Sequence, residues 1–142
     1  MAKTELVISL QVPGFHRWKD APLEYSYLSN WHRHVFHINC YIEVKNDRQF
    51  EFIVAKDSLM SFLKNTLGAQ RIIPNTGIDD PSKKDYADMF LHRGHLVFTE
   101  DVVSSGSCEG IAEYIAGYLK GNYGKVTVEV LEDGENGARV TL

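Results

Sequence analysis

His32-Arg33-His34-Val35-Phe36-His37-Ile38-Asn39-Cys40-Tyr41-Ile42-Glu43-Val44 is the stretch from which the fold can be read. Phe36, Ile38, Cys40, Ile42 and Val44 fall on one side of it, and His37, Asn39, Tyr41, Glu43 and Lys45 on the other. A period of two with one apolar side predicts a long strand covered on one face. Upstream, Leu6, Ile8, Leu10 and Val12 alternate with Val7, Ser9 and Gln11 until Pro13-Gly14 interrupts the run, so a first strand is expected to pair antiparallel with the second.

Downstream of the polar turn Asn46-Asp47-Arg48-Gln49, a short strand from Phe50 to Val54 is expected. Asp57 is then placed to cap a helix carrying Leu59, Phe62, Leu63 and Leu67, with Gly68 as its stop. Ser107 caps a second predicted helix, in which Ile111, Tyr114, Ile115, Tyr118 and Leu119 recur at three- and four-residue spacing before Gly121. Two strands close the chain: Lys125 to Glu132, with Val126, Val128 and Val130 in alternation, and Arg139 to Leu142 after the turn Asp133-Gly134-Glu135-Asn136-Gly137. The order β-β-α-α-β-β predicts an α+β fold, a four-stranded antiparallel sheet with two helices on one face. Residues 69–106, between the helices, form a segment of a length that is uncommon unless functional.

The chain has 142 residues, enough for a single domain over 1–142 that buries a core without disulfides. With 44% hydrophobic and 24% charged residues it reads as globular, and no apolar run approaches the ~20 residues of a membrane helix. The start, Met1-Ala2-Lys3-Thr4-Glu5, lacks the features of a signal peptide, so a cytoplasmic protein without a membrane partner is expected. A net charge of −4 without a basic stripe argues against nucleic acid as a partner. Cys40 and Cys108 have no metal-site or disulfide spacing and read as free thiols, with Cys40 on the apolar side of its strand.

The chemistry is concentrated in histidine. Four of the six histidines lie between positions 16 and 37, and His32 and His34 alternate on one strand so that both imidazoles face the same way. His16, just past the end of the first predicted strand, would be brought alongside by antiparallel pairing. Three neutral imidazoles with an open fourth position are the donor set of a catalytic zinc ion, which acidifies a bound water or hydroxyl.

These features together resemble the 6-pyruvoyl-tetrahydropterin synthase family, including its 6-carboxytetrahydropterin synthase branch. Phe15-His16-Arg17 looks like the family's first zinc ligand, and His32-Arg33-His34-Val35-Phe36 like its His-Gly-His strand entry. Ser107-Cys108-Glu109-Gly110-Ile111-Ala112 is similar to its Pro-Thr-x-Glu-Asn-Leu-Ala helix start. Val128-Glu129-Val130-Leu131-Glu132 resembles the strand whose last Glu anchors the pterin. The resemblance implies the tunnelling fold, zinc on His16, His32 and His34, and a pterin-like substrate held by Glu132 and Glu109. It also implies a homo-oligomer with its sites at subunit interfaces.

The chain departs from the family at the base. No cysteine occurs in Leu23 to Trp31, where the family carries its proton-handling thiol, and Glu24 is the one carboxylate there. The family's Asp-His pair is altered to Leu91-His92-Arg93-Gly94-His95-Leu96, which leaves His92, His95 and Asp88 as the other candidate catalytic groups. The expected activity is a zinc-dependent lyase acting on dihydroneopterin triphosphate or a related dihydropterin. The alternative is a non-catalytic pterin- or purine-binding homologue that has lost the base.

Overall fold

A computed structural model describes residues 2–69 and 94–142. The elements are β1 (Thr4–His16), a 3-10 segment (Leu23–Ser29), β2 (His32–Val44), α1 (Phe52–Leu67), β3 (Leu96–Val97), a 3-10 turn (Ser104–Gly106), α2 (Cys108–Tyr123), β4 (Val126–Glu132) and β5 (Asn136–Thr141). β1 and β2 pair antiparallel over their whole length, from Thr4 opposite Val44 to His16 opposite His32. β1 does not stop at Pro13-Gly14 as the sequence suggested. At Pro13 the strand has a partner on the β2 side but β3 begins only opposite Gly14, so the missing N–H disrupts no second ladder.

The sheet corrects the expected fold class. It is five-stranded and mixed, in the order β3-β1-β2-β4-β5, with β3 parallel to β1, and not a four-stranded antiparallel sheet. Two residues are too few to show a period, so Leu96-Val97 left no strand signal. What admits them to the edge of β1 is Gly14. A Cβ there would lie 2.9 Å from Phe98 Cε2 and 3.2 Å from the Leu96 carbonyl oxygen.

The run Phe50 to Val54 is likewise not a strand, since from Phe52 onward it is the first turn of α1. Phe52, Ile53 and Val54 are β-branched or aromatic but exposed, while Ala55, Leu59, Leu63 and Leu67 at four-residue spacing form the buried face. Glu51 therefore takes the cap position expected of Asp57. Ser107 caps α2 as read, accepting from the Gly110 N–H, and that helix runs past Gly121 to a Gly124 cap at φ 86°.

Both helices lie on the face made by Ile8, Leu10 and Val12 of β1, Phe36, Ile38, Cys40 and Ile42 of β2, and Val126, Val128 and Val130 of β4. The other face carries a ladder of register partners, Ser9, Asn39, Glu129 and Arg139, joined side chain to side chain across four strands. Among the described residues no helix is long and apolar enough to cross a membrane.

Candidate metal centre

Strand periodicity builds the site. The even-numbered residues that make the core face of β1 end in Gly14 and His16; those of β2 begin with His32 and His34; and those of β4 end in the half-buried Glu132. Register brings these ends together, with His16 opposite His32, Gly14 opposite His34 and Phe36 opposite Glu132. At the same end of the sheet α2 begins, and Ser107, Cys108 and Glu109 join the lining.

The three imidazoles form one cluster. Ring centroids are 4.5 Å apart for His16–His32 and 5.1 Å for each of the other two pairs, and their ligand nitrogens all lie within 4.8 Å of one another. Each Nδ1 faces an oxygen and therefore donates its hydrogen. His16 bonds the Gly106 carbonyl at 3.0 Å, His32 the Asn30 carbonyl at 2.9 Å, and His34 the Asp133 carboxylate at 2.8 Å. These bonds fix the tautomer and leave the Nε2 lone pairs as the convergent set, the outer-shell arrangement typical of metal-binding histidines.

His16 is only 7% exposed, and its Nε2 is buried without a hydrogen bond. Burial holds its pKa down to about 4; the Gly106 carbonyl opposes that shift, and the neighbouring His32 and His34 add to it. The ring is therefore neutral at neutral pH, as a metal ligand must be. An orphaned, buried, neutral imidazole nitrogen beside two others fits a first-row divalent ion such as zinc.

The cluster lies in the wall of a cavity of about 800 Å³, with Trp18, Tyr27 and Leu28 among the apolar lining and Glu109 and Glu132 among the polar. That size and mix suit a small organic ligand. Cys108 donates from Sγ to Glu132 Oε1 over 3.8 Å, and burial together with the Glu132 and Glu109 carboxylates pushes its thiol up to about 12. Cys40 lies in the core, where burial alone pushes it up to about 12.

Of the sequence-derived site residues, the structure brings together His16, His32, His34, Glu132 and Glu109. His95 is on the opposite face of the sheet, its ring tilted against Phe15 with centroids 5.6 Å apart, and its Nε2 accepts from Arg33 Nε at 2.8 Å. That contact also accounts for Arg33, which points away from the ligands. Glu24 is in the exposed 3-10 segment and does not line the cavity. Asp88 and His92 lie outside the described residues.

Asp133 was missed. It follows Glu132 in the β4–β5 turn at φ 53° and grips β2 with both oxygens, which accept from the Val35 N–H and from His34 Nδ1; these bonds, the Val35 one foremost, hold its carboxyl below the usual range. Asp-Gly in a hairpin is read as turn chemistry, which concealed this second role. Cys108 was missed as a cavity residue because a helix N-terminus does not reveal what it faces.

The chain matches no family model and no curated protein. Among solved structures it is similar to the crystal structure of an uncharacterized protein, WS1659 from Wolinella succinogenes. The two share 17% identity and superpose with a TM-score of 0.57, over 99% of each chain. At that identity the likeness shows a shared fold.

Proposed function

We propose that the chain is a zinc-dependent lyase of the 6-pyruvoyl- or 6-carboxytetrahydropterin synthase type, acting on dihydroneopterin triphosphate or a related dihydropterin. The observation that carries this reading is the set of three histidines, each anchored through Nδ1 and converging through Nε2 at a cavity that also presents two carboxylates. His16, His32 and His34 would hold the ion. Bound zinc supplies Lewis acidity, lowering the pKa of a substrate hydroxyl.

Glu109 and Glu132 are suited to accept paired hydrogen bonds from ring N–H and amino groups, and Trp18 and Tyr27 offer aromatic surface for the ring. Asp88 and His92 remain the proposed proton-transfer groups. A homo-oligomer with sites between subunits belongs to this reading, supported by Leu23 and Tyr27, 90% and 66% exposed on the 3-10 segment from which Tyr27 and Leu28 line the cavity.

A second reading, a non-catalytic pterin- or purine-binding protein, is favoured by the position of His95 and Glu24 outside the cavity lining. Metal content and turnover separate the two. About one zinc per chain is expected, lost in His32→Ala and His34→Ala, since three ligands and one open site define such a centre. Loss of triphosphate or side-chain cleavage from a dihydropterin then identifies the lyase. Tight pterin binding by zinc-loaded protein with no turnover of any dihydropterin identifies the binding protein, and a metal-free native protein refutes both the zinc site and the lyase.

A further inference from the structure

Glu132 stands closer to the histidines than an anchor for a distant ring requires. Its Oε1 is 3.2 Å from His16 Nε2 and its Oε2 is 3.5 Å from His34 Nε2. With its Nδ1 hydrogen committed to the Gly106 carbonyl, the buried His16 ring turns an Nε2 lone pair toward a carboxylate. Acceptors facing acceptors at that range repel unless a proton or a cation lies between them. His16 Nε2 has no hydrogen bond. A cation is therefore the better partner.

The separations fit that partner. Two ligands at ~2.0–2.1 Å on a tetrahedral ion are about 3.3–3.4 Å apart, because the edge of a tetrahedron is ~1.63 times its centre-to-vertex distance. Glu132 Oε1 lies 3.2 Å from His16 Nε2 and Oε2 lies 3.5 Å from His34 Nε2, so the carboxylate has an oxygen near that spacing from each of two imidazoles. Cys108 Sγ donates to the same Oε1 over 3.8 Å, which gives the carboxylate a second partner in the cavity wall. Glu132 also reaches the cluster from a third strand, on which it follows the buried Val126, Val128 and Val130 in alternation.

We propose that Glu132 is the fourth ligand of the ion held by His16, His32 and His34, closing the coordination sphere while the cavity is empty. This rests on the three-histidine reading above and adds to it a closed resting state. A substrate oxygen entering from the cavity exchanges with the carboxylate, which is thereby released toward the ring donors.

The test uses the full chain stripped with a chelator and reloaded with Co²⁺ or Zn²⁺. Wild type, Glu132→Gln and Glu132→Ala are compared by the visible Co²⁺ spectrum and by Zn²⁺ affinity against a competing chelator. The expected result is an altered Co²⁺ spectrum in both variants, Zn²⁺ affinity weaker by roughly tenfold or more, and recovery of the wild-type spectrum when formate is added to Glu132→Ala. A Glu132→Gln spectrum that superposes on wild type overturns the fourth-ligand assignment and leaves the three-histidine site standing. Failure of wild type to take up either metal sinks both.

Discussion

Acidifying the metal-free protein should destabilise it through His16, and the size of the effect follows from the burial of that ring. His16 is enclosed by Phe36, edge-on at 5.1 Å, and by its bond to the Gly106 carbonyl, and its pKa falls from 6.5 to about 4 on folding. The folded-state value is depressed for a group that is neutral when unprotonated, so the unfolded chain binds the extra proton between pH 6.5 and 4. Stability is therefore fully present above pH 6.5 and is lost as pH falls toward 4. Each pH unit between those two values is worth about 1.4 kcal/mol, so the full loss is about 3 kcal/mol, most of which has gone by about pH 4.5. Urea denaturation of chelator-treated protein at about pH 7.5 and pH 4.5, for wild type and His16→Gln, isolates this group from the carboxylates that titrate in both. Wild type should lose about 2–3 kcal/mol more than the variant between the two pH values. Equal losses would refute the claim that burial keeps this ring neutral.

Zinc at a hundredfold excess over its Kd should add about 2.7 kcal/mol and raise Tm by roughly 8 °C, a shift that thermal melts should find abolished in His32→Ala. Asp133→Asn removes the anion that orients His34 and should weaken Zn²⁺ binding by ~10–100-fold in a chelator competition while leaving one zinc per chain at saturation. Gly14→Ala pushes a methyl group against Phe98 and the Leu96 carbonyl. It should cost ~1–3 kcal/mol in urea denaturation, and no loss would count against the docking of β3 on β1. Leu63→Ala, in the fully buried face of α1, should cost ~2–5 kcal/mol by the same assay.

Where burial and period agree, the sequence was a good guide. The alternation of Phe36, Ile38, Cys40 and Ile42 with polar partners appears as strand β2, and its backward extension puts His34 and His32 on the core face. His16 joined them because antiparallel register puts the end of β1 against the start of β2. Legibility failed where a period had no length to act on or two signals conflicted. Leu96-Val97 is two residues long, and its pairing depends on the missing Cβ of Gly14, a contact between positions distant in sequence. Phe52-Ile53-Val54 has strand composition, yet the four-residue spacing that starts at Ala55 outweighs it once there is a sheet to pack on. The anchors of the histidines were invisible for another reason. Two of them are backbone carbonyls, of Gly106 and Asn30, whose direction no side-chain pattern encodes.

The same stripes that make the core make the site, and that gives His16 its significance. Its stripe in β1 runs Ile8, Leu10, Val12, Gly14, all buried, and a stripe selected for stability alone would end in another apolar residue. Instead it ends in an imidazole whose Nε2 is buried without a hydrogen bond, an arrangement costing ~1–3 kcal/mol relative to a satisfied group. On β2 and β4 the stripes likewise switch from apolar to His34, His32 and Glu132 at the same end of the sheet, beside the cavity. Three strands breaking the same local rule at one place, with every Nδ1 already anchored, is the pattern of a site kept against the cost of folding it. The proposed cation among the Nε2 atoms and the Glu132 carboxylate would remove that cost at each of these groups at once. A chance accumulation of polar residues at a sheet end would leave the nitrogens facing water or one another's hydrogens, and His16, at 7% exposure with its hydrogen turned to Gly106, has neither.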